Sequence, residues 1–490
     1  MTTSWLRCSV ALFVLLGSSG FNQAARSQES SGSVAGPPNI LLIIGDDMGV
    51  ETMASYGVGE NPPTTAAIDE LAREGVRFTN VWSQPLCSPT RATILTGRYG
   101  FRTGVGTPLG IVRPPLPDIP QIPEWASFEP PPVTYNIEVR PSHGLLAGEY
   151  TLPMAFKANR QLGYSTAAIG KWHLADAVNG WLDHPNLTGF DYFSGTMGGT
   201  PESYFAWNKV TNGELTGVVG YMPADKADDA IAWIEEQGDD PWFLWVAFNV
   251  PHIPLHLPPE AYWQDDHSDL DSKSLPEERS GDYFAAMIEA MDTQIGRLLA
   301  SIEPQVRENT YVIFMGDNGS TSATLSAPFQ ARRAKNTIYQ GGINVPLIVS
   351  GPNVVPGATS SALVNSTDLF ATIMEMAGIK PEEAVPEDVR TDSVSFLSAL
   401  SNPDARSGRD WVYADVFTGG FAGVEDANYA IRNARYKLLR HRGSEEFYDL
   451  EEDPYEQSNL LAQELSPQER AEYLALKERV LTLRSSESRP

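Results

Sequence analysis

Cys87 heads the run Cys87-Ser88-Pro89-Thr90-Arg91, and the sequence holds one other cysteine, Cys8. Cys8 falls in an N-terminal stretch that reads as a signal peptide over residues 1–26. It has Arg7, an apolar run from Val10 to Leu16 and small residues at Ala24-Ala25, and it is too short to span a bilayer. Its removal would leave Cys87 as a single thiol in an exported, periplasmic or extracellular protein (lysosomal or secretory in a eukaryote), where cysteines are normally paired. Such a thiol is either incidental or reactive. The mature chain could form no internal disulfide, so packing must stabilise it, alone or together with a bound ion.

Two acidic segments supply the next chemistry. Gly45-Asp46-Asp47-Met48-Gly49 and Gly316-Asp317-Asn318-Gly319 are near copies, each closing an apolar run. Either alone reads equally well as an Asx turn. Together, Asp46, Asp47, Asp317 and Asn318 converge if the two runs are neighbouring strands. Crowded carboxylates need a cation between them, and an all-oxygen set suits a hard ion such as calcium or magnesium. Cations and histidines complete the inventory. Gly163 to His173 reads as a strand that delivers Lys171 and His173 to one side if it stays extended. His252 follows another apolar run between Pro251 and Pro254, and Lys335 precedes Gly341-Gly342. Each alone has an ordinary reading, a surface lysine or a loop histidine. With Arg91 and a divalent ion they make a positive pocket suited to a tetrahedral anion.

The elements that must position these residues follow a repeating pattern. Continuous apolar runs at Ile40–Ile44, Trp242–Phe248, Tyr311–Met315 and Pro346–Val349 read as buried parallel strands. Helical spacing fills Thr65–Glu74, Leu152–Leu162, Ala227–Glu236, Tyr283–Ile302 and Asp368–Ala377. The expected fold class is α/β, a large mixed and mostly parallel sheet with helices on both faces, whose ligands bind at strand carboxyl ends. Beyond Ser407, alternating strands and a charged helix from Pro467 to Leu483 predict a smaller α+β subdomain with an antiparallel sheet. The organisation is thus residues 1–26 signal, 27–38 linker, 39–406 catalytic domain and 407–490 C-terminal subdomain. Two stretches break the alternation: proline-rich Pro108–Pro132, with Trp125 and Phe128, and Gly195–Gly220, with Tyr204, Phe205 and Trp207. Each is either a pocket wall or a surface insertion.

The 490 residues are 42% hydrophobic, enough for a large core. The formal charge of -27 argues against nucleic acid or an anionic membrane as partner. No second apolar run approaches membrane-spanning length.

From Asn39 to about Leu460 the residues resemble the type I, formylglycine-dependent sulfatases of the alkaline-phosphatase-like superfamily. The run Cys87 to Gly97 fits their Cys-x-Pro-x-Arg signature and its apolar tail, and Gly163 to His173 fits their second signature. The resemblance implies that a maturation enzyme oxidises Cys87 to Cα-formylglycine, whose hydrate is the nucleophile. It implies that Asp46, Asp47, Asp317 and Asn318 hold one calcium ion together with residue 87. Arg91 and His173 would then orient the hydrate, Lys171 and Lys335 would neutralise sulfate oxygens, and His252 or Lys335 would protonate the leaving oxygen. The sequence departs from the family at Gln340, often Glu, and at Asn344, often basic. It also has a longer segment between Gly106 and Tyr150 that carries His143, the first candidate for a specificity element.

The implied activity is release of inorganic sulfate from a sulfated carbohydrate or an aryl sulfate. Two alternatives stand beside it. A phosphonate or phosphate ester hydrolase would use the same metal and modified cysteine. A non-catalytic binder of sulfated glycans would keep Cys87 as a thiol.

Overall fold

The computed structural model describes residues 36–109, 117–126, 143–405 and 408–485. The signal segment, nearly all of the linker, Phe128, Pro132 and the expected boundary at 406–407 lie outside the described residues. Ten strands form the main sheet: β1 (Asn39–Gly45), β2 (Val76–Trp82), β3 (Ser165–Lys171), β4 (Tyr192–Thr196), β5 (Ala206–Thr211), β6 (Glu214–Val219), β7 (Trp242–Ala247), β8 (Thr310–Gly316), β9 (Leu347–Ser350) and β10 (Ala358–Asn365). Their spatial order is β10-β2-β9-β8-β1-β7-β3-β4-β5-β6. The block β8-β1-β7-β3-β4 is parallel throughout.

The central strands form where sequence supplies unbroken apolar runs, because both faces are covered. On β1, Ile40, Leu42 and Ile44 share one core with Ile94, Leu95, Leu152 and Phe370. Leu41 and Ile43 face the other way, toward Ile68, Leu71, Met222, Met287 and Ile295. The helices Cys87–Thr96, Leu152–Ala158 and Asp368–Met376 thus pack one face, and Ala66–Glu74, Met222–Gln237 and Ser280–Ser301 pack the other. Each fully buried Ile or Leu in these layers contributes about 1.5–3 kcal/mol.

The run at Pro346–Val349 is a buried strand but not a parallel one. β9 is antiparallel to both β8 and β2. A short apolar run reports burial on both faces and carries no information on direction. The stretch Gly195–Gly220 is also more regular than expected, since it contains the β5-β6 hairpin on the sheet edge, with Tyr204, Phe205 and Trp207 buried.

A second sheet, β11 (Val412–Val416), β12 (Asn428–Arg432), β13 (Tyr436–His441) and β14 (Ser444–Asp449), is antiparallel in sequential order. The helix Pro467–Ser485 covers one face through Leu476, Val480 and Leu483. The opposite face packs Val412, Ala414, Ala430 and Leu439 against Trp82, Ile338 and Ile343 of the larger part. Among the described residues, no helix is long and apolar enough to cross a membrane.

Candidate active site

Register creates the site. Gly45 pairs with Gly316, so the peptides that follow, Asp46-Asp47 and Asp317-Asn318, leave the same sheet edge side by side. Asp47 takes a left-handed φ of 71°. Its backbone N–H donates to Asp317 Oδ1 at 3.1 Å, and Asn318 Nδ2 donates to Asp47 Oδ1 at 2.8 Å. All four side chains are fully buried.

Cys87 is the first residue of the helix Cys87–Thr96 and is almost completely buried. Lys335 Nζ lies 3.6 Å from its Sγ and also pairs with Asp47 Oδ1. Burial pushes the Cys87 thiol up to about 12, against the opposing pull of Lys171 and Lys335. As a plain thiol the residue is therefore protonated at neutral pH, and only a thiolate is a strong nucleophile. One helical turn on, Arg91 sends Nε and Nη2 to Asp317 Oδ2 at 3.2 and 2.8 Å, and Nη1 to the Lys171 carbonyl at 2.7 Å. Lys171, the last residue of β3, pairs with Asp46 Oδ2.

The expectation that Lys171 and His173 point the same way does not hold. β3 ends at Lys171, and His173 adopts a left-handed φ of 57°. Its ring instead packs against Gly199, where an added Cβ would fall 2.3 Å from the imidazole. Ser88 Oγ donates to the His173 carbonyl at 2.8 Å, tying the cysteine helix to the end of β3. His252 donates from Nδ1 to the Ile253 carbonyl at 2.8 Å, which leaves Nε2 facing Asp47 Oδ2 at 3.9 Å. The structure gathers Cys87, Arg91, Lys171, His252 and Lys335 around the two acidic loops, whereas His173 reaches the cysteine helix through its carbonyl and turns its ring toward Gly199.

The electrostatics separate two adjacent carboxylates. Asp46 is raised to about 7 by burial and by Asp317, partly opposed by Lys171. Asp47 is also buried, but Lys335, His252 and Lys171 together hold it below the usual carboxylate range. Burial and Lys335 lower His252 to about 3 although Asp47 opposes them. Burial works against the charge on Lys335, yet Asp47 outweighs it and raises the ammonium above its ordinary value.

The donor set fits a hard cation. Asp46 Oδ1, Asp47 Oδ2 and Asn318 Oδ1 are buried oxygens with no hydrogen-bond partner, an arrangement costing about 1–3 kcal/mol each unless something else meets them. Ligand atoms of Asp46, Asp47, Cys87 and His252 lie within 4.8 Å of one another. Both Asp317 oxygens are already taken, by the Asp47 N–H and by Arg91.

Several supporting residues carry no sequence signal of their own. Lys226, buried in an amphipathic helix, pairs with Asn249 Oδ1 and packs under Gly170, and Thr196 Oγ1 meets the same Asn249 oxygen at 3.2 Å. Tyr204 donates to the carbonyls of Asn249 and His252, each at 2.7 Å. Gln340 accepts the Trp82 indole N–H at 2.8 Å. The mouth is a cavity of about 470 Å³ bounded by Leu86, Thr107, Pro108, Thr321, Ser322, Lys335 and Asn336, so the long segment after Gly106 reaches the site at Thr107 and Pro108. His143 instead stacks on Phe421, with ring centroids 5.4 Å apart.

Comparison with known proteins identifies the family. The family described as Sulfatase matches residues 38–379, and the family described as N-sulphoglucosamine sulphohydrolase, C-terminal, matches residues 333–486. Arylsulfatase G of Rattus norvegicus is 28% identical, over 88% of this chain and 84% of the relative. An ulvan-active sulfatase of Formosa agariphila is 29% identical, over 86% and 77% of the two chains. Among solved structures, the Ps i-CgsB crystal structure aligns with a TM-score of 0.73 at 23% identity, covering 92% of this chain and 93% of that one. The PsFucS1 sulfatase from Pseudoalteromonas sp. aligns at 0.67 and 23%, covering 91% and 90%. These likenesses extend across both sheets.

Proposed function

Because this chain belongs to the sulfatase family and hydrolyses sulfuric esters, we propose that its nucleophile is made from residue 87 and its electrophilic support from the two acidic loops. Converted to formylglycine, position 87 supplies a hydrated aldehyde, and a divalent cation held by Asp46, Asp47, Asp317, Asn318 and residue 87 supplies positive charge beside it. The all-oxygen, carboxylate-rich set favours calcium over softer metals. The single observation behind this reading is the meeting of Cys87, Lys335 and Asp47: one ammonium lies 3.6 Å from Sγ and also pairs with a carboxylate that keeps a second, unpartnered oxygen.

The chain's own groups have distinct tasks. Arg91 is locked by Asp317 and by the Lys171 carbonyl, so it orients position 87 from one fixed place. We give His173 the same task, since its carbonyl accepts from Ser88, the neighbour of position 87. Lys171 and Lys335 offer N–H groups to sulfate oxygens as charge builds on them. Lys335 keeps its proton in this setting, whereas neutral His252 presents a bare Nε2 because Nδ1 is committed to Ile253. We therefore assign the proton for the leaving oxygen to Lys335.

The substrate we propose is a sulfated saccharide. The ulvan-active relative and an N-acetylgalactosamine-6-sulfatase of Canis lupus familiaris, 28% identical, act on such esters by name. The signal segment and a cysteine that needs a dedicated maturation enzyme fit an exported protein, and residues 39–406 and 407–490 serve as its catalytic domain and C-terminal subdomain.

Mass spectrometry of the peptide containing residue 87, from protein coexpressed with a maturation enzyme, should show the aldehyde. Cys87→Ala should abolish sulfate release while leaving the thermal transition in place. An unmodified thiol in active protein, or wild-type turnover by Cys87→Ala, would overturn the reading. Faster turnover of phosphate or phosphonate esters than of every sulfate ester in a common panel would move it to the alternative chemistry.

A further inference from the structure

Lys335 is anchored from two directions. Toward the site it meets Asp47 and Cys87, and its backbone N–H donates to the Ser320 carbonyl at 2.9 Å. The rest of its segment, residues 333 to 343, is gripped by the C-terminal sheet. Glu456 leaves the loop after β14 with a left-handed φ of 59° and is almost fully buried. Its Oε2 accepts the backbone N–H of Gln340 at 2.7 Å, and its carbonyl accepts from Arg333 Nη1. Arg333 also stacks on Tyr339, 4.5 Å from the ring centroid, and donates to Tyr448 at 3.2 Å. Lys437 of β13, wholly buried, pairs with Glu456 Oε1 at 2.5 Å and donates to the Ile338 carbonyl at 2.7 Å. The same ammonium lies 4.8 Å from the ring centroid of Trp82, whose indole N–H holds Gln340. Contacts from Glu456 and Lys437 thus fix residues 333, 338 and 340 on both sides of Lys335.

A buried ion pair is weak evidence for added stability, because its desolvation offsets its attraction. Glu456 and Lys437 instead meet three main-chain or side-chain groups of one short segment, so their effect falls on the placement of that segment. A displacement of about 1 Å in a catalytic group can cost on the order of a hundredfold in rate. We propose that Glu456 is a positioning residue for Lys335, with Lys437 fixing the Glu456 carboxylate, so that the small sheet is part of the catalytic apparatus. The inference rests on the role given to Lys335 above.

The test measures kcat and KM for sulfate release by formylglycine-containing protein carrying Glu456→Ala, Glu456→Gln or Lys335→Ala, and by each Glu456 variant combined with Lys335→Ala at high enzyme concentration. Glu456→Ala should lower kcat/KM tenfold or more, with circular dichroism unchanged. Glu456→Gln, which keeps an acceptor for the Gln340 N–H, should recover most of that loss. In the Lys335→Ala background the Glu456→Ala substitution should cost less than twofold, because the group it positions is gone. Equal losses in both backgrounds, or wild-type kinetics from Glu456→Ala, would overturn the positioning role. Wild-type turnover by Lys335→Ala would instead remove the assignment of Lys335 on which it rests. Should Glu456→Ala not fold, a tenfold loss in folded Glu456→Gln that persists undiminished in the Lys335→Ala background would overturn the proposal equally well.

Discussion

The backbone N–H of Asp47 donates to the side chain of Asp317, so the two acidic loops hold each other across 270 residues of sequence. Asp317 also carries the charge that Arg91 needs in a fully buried place. Asp317→Asn would preserve the Oδ1 acceptor but leave Arg91 without a counter-charge, a change that typically costs about 3–5 kcal/mol. Urea denaturation in the presence of a chelator, so that metal loss does not contribute, should show that deficit. An unchanged midpoint would mean that Arg91 does not depend on Asp317.

The assignment of the leaving-group proton predicts a dependence on the alcohol. With a series of aryl sulfates, Lys335→Ala should lose progressively more rate as the leaving phenol becomes more basic, since poor leaving groups need the proton most. His252→Ala should lose a roughly constant factor across the same series. Reversed slopes would transfer the proton to His252.

Three buried oxygens without partners, on Asp46, Asp47 and Asn318, predict that stability responds to a cation. Chelation should lower the thermal midpoint, and calcium at about one hundred times its dissociation constant should restore on the order of 3 kcal/mol. Asp46→Ala should abolish that calcium response. A midpoint indifferent to both chelator and calcium would argue against a metal between the loops.

Glu51 gives a pH prediction. It is buried beside the first acidic loop, hydrogen-bonded to Ser320, and burial raises its carboxyl to about 7 from an ordinary value of 4.5. Because the folded value lies above the unfolded one, the folded state binds the proton more tightly, and stability falls as pH rises from about 4.5 to 7. Above pH 7 the full cost stands, on the order of 3 kcal/mol for that shift. Glu51→Gln should therefore be more stable than wild type at pH 8, and the difference should vanish near pH 4. Parallel stability curves across that range would exclude Glu51 as the source.

How much of this was readable in advance depends on where the information lies. The cysteine run, the Asp-Asp and Asp-Asn pairs and the Gly163–His173 strand are local patterns, and their convergence follows once β1 and β8 are neighbours. All four strands of the small sheet were legible because Trp411–Asp449 alternates within short runs. The direction of β9 was not, since Leu347–Ser350 is apolar whichever way it runs. The β5-β6 hairpin was hidden because Gly195–Gly220 is rich in Gly and Thr. Lys226, Asn249 and Glu456 were missed for a common reason: each is an ordinary polar residue in a helix or loop, and only tertiary packing gives it its buried partners.

The position of β1 within the sheet has a consequence for hydrogen exchange. Three strands separate it from the β10 edge and four from β6, so frequent local openings at either margin can occur without releasing its amides. The amides at the root of the loop bearing Asp46 and Asp47 should therefore exchange more slowly than those of the edge hairpin, which can fray without disturbing the centre.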